Sequence, residues 1–142
     1  MKPSIYLKIA SVILILHAVG HMFGMAGWNK GATSEQQSVI HAMTDHRFPF
    51  MGVNRSFADS FNGFGNIATL SLLLMAWLLW IVGTFTNQYA VVSKKLAGTL
   101  FIGLFLQSIL EFIYFFPAAA IMTLVAALLT GISFLRIKAQ AN

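Results

Sequence analysis

The sequence predicts an all-α membrane protein: four transmembrane helices in a bundle, with a short amphipathic surface helix between spans one and two. Three observations predict it. Of 142 residues, 58% are hydrophobic and only 9% are charged, with a mean hydropathy of +0.77. A soluble domain carries about a quarter charged residues, so this chain cannot cover a globular surface with polar groups. Four apolar runs are each long enough to cross hydrocarbon, which takes about 20 residues. The nine Lys and Arg gather at the ends of those runs, where membrane topology places them. The net charge of +5 is therefore no nucleic-acid footprint, and no nucleic-acid motif is present. Cysteine is absent, which excludes a disulfide framework and a thiolate metal site.

The chain reads as one four-helix transmembrane domain over residues 1–142. The first span covers ~5–27. Lys2 and Lys8 flank its start, and Trp28 marks its far end as an interfacial aromatic. A cleaved signal peptide ending at Met25-Ala26-Gly27 is the competing reading. The length of the run and two histidines within it favour a span. Residues ~29–56 are the one sizeable polar stretch. Thr33-Ser34-Glu35-Gln36-Gln37 reads as a helix start, with Thr33 or Ser34 as N-cap and Gln36 or Gln37 reaching back. The helix runs to about Thr44, with Val39, Ile40 and Met43 on one face, as in a helix lying on a membrane. Phe48 to Gly52 follows as an apolar turn dipping toward the lipid interface.

Ser56 caps the second span, ~57–85. Asp59, Asn62, Gly63 and Asn66 share one face of its opening turns, and Trp77 and Trp80 approach the other interface. Asp59 suits the N-terminal dipole and stands four residues after Arg55, an ion-pairing distance. Thr86 to Ser93 is a short connection closed by Lys94-Lys95. The third span, ~96–115, carries Gln107, Glu111 and Tyr114; Pro117 ends it and opens the fourth, ~117–135, which has no ionisable group. Lys2, Lys8, Lys94, Lys95, Arg136 and Lys138 lie on one side of the membrane and Lys30, Arg47 and Arg55 on the other. That excess places both termini of a multi-pass protein in the cytoplasm; in a bacterium the expected location is the inner (cytoplasmic) membrane.

Ionisable groups in hydrocarbon are expensive and mark functional sites. His17 and His21 stand four apart on one helical face, with Gly20 and Gly24 beside them as a GxxxG motif for close helix approach. At 1.5 Å per residue, His17 and His21 lie about 18 and 24 Å from Ile5, and Gln107 and Glu111 about 18 and 24 Å from Lys95. Asn62 and Asn66 lie roughly 5–12 Å in from the outer end of the oppositely running second helix. Three spans thus bring polar residues to one outer layer, and the surface helix with the Phe48–Met51 turn is placed to cover it as a lid.

Three kinds of function fit that layer. A binding protein would use His17, His21 and Glu111 as ligands to a transition metal such as zinc, or Asn62, Asn66, Gln107 and Asp59 to hold a small amphiphile. An intramembrane enzyme would use Glu111 with His17 or His21 as an acid–base pair on a lipophilic substrate. A structural subunit would use the same groups only as hydrogen bonds between helices. Haem is disfavoured, because only the first span carries histidine. His41 and His46 read as solvated loop residues. The expected partners are the lipid bilayer and a small amphiphilic ligand, with no nucleic acid.

At His17-Ala18-Val19-Gly20-His21, Met51-Gly52-Val53-Asn54-Arg55-Ser56-Phe57-Ala58-Asp59 and Phe61-Asn62-Gly63-Phe64-Gly65, the chain resembles an uncharacterised family of small bacterial four-span integral membrane proteins, usually labelled hypothetical or conserved membrane proteins. The likeness covers most of the chain. It implies a four-helix membrane fold and assigns no residue a role. A looser likeness to four-span sterol-isomerase-like proteins, which place acid/base and amide residues in a membrane pocket, rests on architecture and residue types alone and is analogy.

Overall fold

A computed structural model describes residues 2–138. Its elements in chain order are α1 (Pro3–Gly27), α2 (Ser34–Asp45), β1 (Arg47–Phe50), β2 (Val53–Ser56), α3 (Phe57–Phe85), α4 (Ala90–Tyr114) and α5 (Pro117–Arg136). The four long helices α1, α3, α4 and α5 are each long and apolar enough to cross a membrane. The fold is therefore the helical membrane bundle expected, with α2 as the small amphipathic helix between the first two spans.

Two departures are local. The third span begins at Ala90 rather than near residue 96, so the connection after α3 shrinks to a tight turn. Its N–H groups fold back on the helix they leave: those of Gln88 and Tyr89 both donate to the Phe85 carbonyl, at 3.1 and 2.9 Å. Nothing from Val91 to Ser93 breaks helix, and in hydrocarbon helical hydrogen bonds are the only way to satisfy the backbone. The second departure is that Phe48–Gly52 is more than an apolar turn. It belongs to an antiparallel hairpin pairing Arg47 with Ser56, Phe48 with Arg55, Pro49 with Asn54 and Phe50 with Val53. Met51 and Gly52 make the turn at φ 47° and 83°. Gly adopts that left-handed conformation freely; for Met it costs about 1–2 kcal/mol.

The chain divides into two compact units, residues 1–18 with 71–142, and residues 19–70. The first contains the core. On α1 the buried positions are Leu7, Ala10, Ser11, Leu14, His17 and Ala18, a stripe at three- and four-residue spacing. On α4 they are Ser93, Ala97, Leu104, Ser108 and Glu111. On α5 they are mostly small: Ala119, Ala120, Thr123, Ala126, Ala127, Thr130, Gly131 and Ser133. Lipid tails are as apolar as Leu, so membrane helices associate through close packing and hydrogen bonds. The small face of α5 supplies both. A Cβ built on Gly131 would stand 3.0 Å from the Phe101 ring, and one on Gly98 would stand 3.1 Å from the Phe134 ring. Each helix thus lays an aromatic ring over the other's glycine, and the two reciprocal contacts fix the antiparallel register of α4 against α5. The same unit is tied by Ser11 Oγ donating to the Ala76 carbonyl at 2.7 Å and Ser133 Oγ donating to the Pro3 carbonyl at 3.0 Å.

In the second unit Thr33 is the N-cap of α2, and Gln36 completes the capping box. The Thr33 hydroxyl accepts from the Gln36 N–H at 3.2 Å, while Gln36 Oε1 accepts from the N–H groups of Ala32 and Thr33. The Glu35 backbone N–H, then the Thr33 and Ser34 hydroxyls, hold the Glu35 carboxyl below its ordinary range. No residue of α2 is buried. Gly20 and Gly24 do not mediate the close helix approach that their spacing suggested. A Cβ on either would meet nothing within 4 Å, because both lie on the exposed side of α1. The tight contact in this unit is at Gly65, where a Cβ would overlap the Met25 side chain.

The ring-over-glycine register yields a test. Gly131→Val should destabilise the protein in detergent by about 1–3 kcal/mol, the usual cost of overpacking. Adding Phe101→Ala should return part of that loss, measured by thermal unfolding. Equal stability of Gly131→Val and wild type would contradict the register.

Candidate functional site

Glu111 lies on the buried stripe of α4, one helical turn beyond Gln107 on the same face. The Gln107 amide donates from Nε2 to Glu111 Oε1 at 2.8 Å. The second carboxylate oxygen, Oε2, is buried and has no hydrogen-bond partner among the described residues. Glu111 as a whole is 9% exposed. A buried polar atom without a partner is rare and calls for an explanation.

His17 occupies the buried stripe of α1 and shares a 3.0 Å hydrogen bond between Nδ1 and the Thr123 hydroxyl of α5. The α4–α5 register, carried from Gly98 over Phe134 and Phe101 over Gly131, sets Glu111 opposite Ile121. Thr123 is two residues further along α5, about 3 Å by helical rise. His17, Thr123, Gln107 and Glu111 therefore occupy one level of the first unit. Thr123 shares this level although it has no ionisable group. A sequence signal for Thr123 was present: it recurs seven residues before Thr130 on the small face of α5, where neither hydroxyl is needed for size.

The remaining expected site residues belong to the second unit, each with its own surroundings. His21 Nδ1 lies 2.9 Å from the Thr69 hydroxyl, and that hydroxyl donates its one proton to the Gly65 carbonyl at 3.0 Å. It then accepts from His21, which puts a proton on Nδ1. Asn62 Oδ1 accepts from the Trp28 indole N–H at 2.8 Å, and the Trp28 ring packs on Phe61 at 4.9 Å. Asp59 closes a reciprocal cap with Ser56: Oδ2 accepts from the Ser56 N–H at 3.0 Å and Ser56 Oγ accepts from the Asp59 N–H at 3.1 Å. Its ion-pair partner is Arg47, at 3.6 Å, rather than Arg55. The hairpin makes the difference, because it folds β1 back beside the first turn of α3. Asn66 is exposed on α3. His41 and His46 are exposed, His41 within 3.6 Å of Asp45 on its own helix.

Among the described residues no three His, Asp or Glu side chains gather closely enough to hold a metal ion. A cavity of about 710 Å³ in the first unit is lined by Pro3, Thr86–Val92 and Arg136–Lys138. It lies at the far end of α4 from Glu111. A second cavity, about 540 Å³, sits in the second unit beside Trp28, Lys30, Glu35 and Val39.

If the His17–Thr123 bond joins α1 to α5, Thr123→Val should cost about 0.6–1.7 kcal/mol, the range for single hydrogen bonds between membrane helices. Thermal unfolding in detergent reads it; a neutral substitution would show the bond to be dispensable. No family model, no curated protein and no solved structure matches the chain.

Proposed function

We propose that this is a small polytopic membrane-binding protein whose buried polar level, centred on Glu111, receives the hydrogen-bond-donating head of a small amphiphile. One observation carries the reading: Glu111 Oε2 is buried with no hydrogen-bond partner among the described residues. A purely structural carboxylate would have both oxygens satisfied, since an unmet buried acceptor costs about 1–3 kcal/mol. Gln107 holds Oε1 and so aims the other oxygen. The group that completes the site is a donor: an amine or a hydroxyl. The head enters at the level of His17 and Thr123, and an acyl or alkyl tail lies along the apolar faces of the helices. His17 positions α1 against α5 rather than binding the ligand directly.

A structural role for the whole level is the second reading. The bonds Ser11 to Ala76, Ser133 to Pro3 and His17 to Thr123 favour it, each linking segments far apart in sequence. The two are separated by titrating wild type and Glu111→Gln with dodecylamine, dodecanol and dodecanoate while recording thermal unfolding. The amine or the alcohol should stabilise wild type by about 2.7 kcal/mol at a hundredfold excess over Kd, and dodecanoate should not. Glu111→Gln should lose the response. Absence of any response in wild type, with Glu111→Gln less stable than wild type, would leave only the structural role.

The same reading places the protein in a bacterial inner membrane with both termini in the cytoplasm. Six cations on that side against three on the other support it, as does the likeness to small bacterial four-span membrane proteins. Cysteine is absent from the chain, so introduced thiols report without background. In intact cells Lys30→Cys should react with a membrane-impermeant maleimide, and Lys95→Cys should react only after lysis. The reverse pattern would invert the topology.

A further inference from the structure

The β1–β2 hairpin lies outside the four spans, yet its tip is apolar. Phe50 and Val53 face each other across the last pair before the turn, and Met51 is at the turn. Their exposures are 60%, 47% and 89%. The turn places Met51 in a left-handed backbone conformation, φ 47°, where Asn or Gly fits more easily. A water-facing turn has no reason to favour a large thioether there.

Behind the tip stands a cation. Cross-strand partners share a face, and successive residues of a strand alternate. Arg55, opposite Phe48, is therefore on the same face as Phe50 and Val53, about 7 Å behind the Val53 position. Its guanidinium makes one long contact, Nη1 to the Asn54 carbonyl at 3.4 Å. No carboxylate lies within ion-pair distance of it among the described residues: Asp59 pairs with Arg47 at 3.6 Å and feels Arg55 only through a longer-range attraction, the weaker of the two.

The base of the hairpin is fixed to the start of α3. Ser56 and Asp59 exchange two hydrogen bonds, Phe48 packs on Phe57 at 4.9 Å, and Arg47 reaches Asp59. The strand runs directly into a membrane-spanning helix with no linker residue between Ser56 and Phe57. Strands of this length reach about 13 Å, so the tip cannot travel far from the lipid–water boundary.

We infer that this hairpin is an interfacial wedge that binds an anionic phospholipid: Phe50, Met51 and Val53 enter the acyl boundary and the Arg55 guanidinium takes the phosphate. The spacing matches the chemistry. Apolar groups of an interfacial element sit about 5–10 Å below the headgroup level, which is where the tip stands relative to Arg55. Guanidinium binds phosphate oxygens through a planar pair of N–H groups. The inference is independent of the site at Glu111.

The test uses the full chain in nanodiscs. Met51→Cys, the one thiol in the molecule, carries an NBD fluorophore, and Val53→Cys serves as a second labelled position. The nanodiscs contain equal parts of phosphatidylcholine and phosphatidylglycerol, with a shallow spin label on one lipid or the other. The label should emit at a blue-shifted wavelength and be quenched, more by spin-labelled phosphatidylglycerol than by spin-labelled phosphatidylcholine. Arg55→Gln should reduce that preference by about fivefold, the worth of one basic residue at an anionic surface. Water-like emission at both positions would overturn the inference and make the tip a docking point for protein instead. Equal quenching by both lipids in the unmutated background, or a preference that survives Arg55→Gln, would overturn it too.

Discussion

Hydrocarbon offers no hydrogen bonds, so every polar atom that enters it must find its partner inside the protein. That constraint explains which residues lie where. Ser11, Thr123, Thr130 and Ser133 are all at most 1% exposed, and each hydroxyl has a hydrogen-bond partner within the fold. Thr130 turns back to the Ala126 carbonyl of its own helix, while the other three reach a different segment. Cations observe the same constraint at the ends of the spans. Lys8 and Lys94 lay their charges over Trp80 and Phe134, and Arg136 covers the Tyr6 ring while donating to its hydroxyl. Glu111 is the exception, with one oxygen answered and one not. Its unusual standing comes from comparison with these neighbours rather than from its charge alone.

Close packing is the second requirement, and the chain meets it without bulky side chains on both partners. Ring over glycine, twice and in opposite senses, gives α4 and α5 a unique offset. Sliding either helix by one turn would drive both rings into larger residues. The offset in turn determines which residues share a level, and so brings the His17–Thr123 bond to the height of Glu111. Packing at one end of the hairpin thus sets the chemistry at the other.

Much of this was legible in the sequence. The apolar runs, the Thr33 cap, the Ser56 cap and the Pro117 break are local signals, and each stands within a few residues of its expected place. The burial of His17 and Glu111 was also legible, because each continues a stripe of three- and four-residue spacing. Partners were harder to read. Asp59 stood at the right spacing for Arg55, but Arg47 reached it once the chain reversed into a hairpin, and a Pro at position 49 gave little sign of a strand. Gly20 and Gly24 had the spacing of a contact face, whereas the glycines that meet aromatic rings carry no such motif: Gly131 is the one glycine of α5, and Gly98 stands five residues before Gly103. A motif names a surface that permits close approach; only tertiary structure says whether anything approaches. Thr123 was overlooked because hydroxyls carry no charge, though between helices a hydroxyl does much of what an amide does.

The link between α4 and α5 has a consequence for how the protein is made. Only Phe115 and Phe116 separate the two helices, and both are strongly apolar. Such a link cannot leave one segment stranded in water while the other lies in the bilayer. The C-terminal pair therefore crosses as one unit, the two segments sharing a single re-entry point with no polar loop between them.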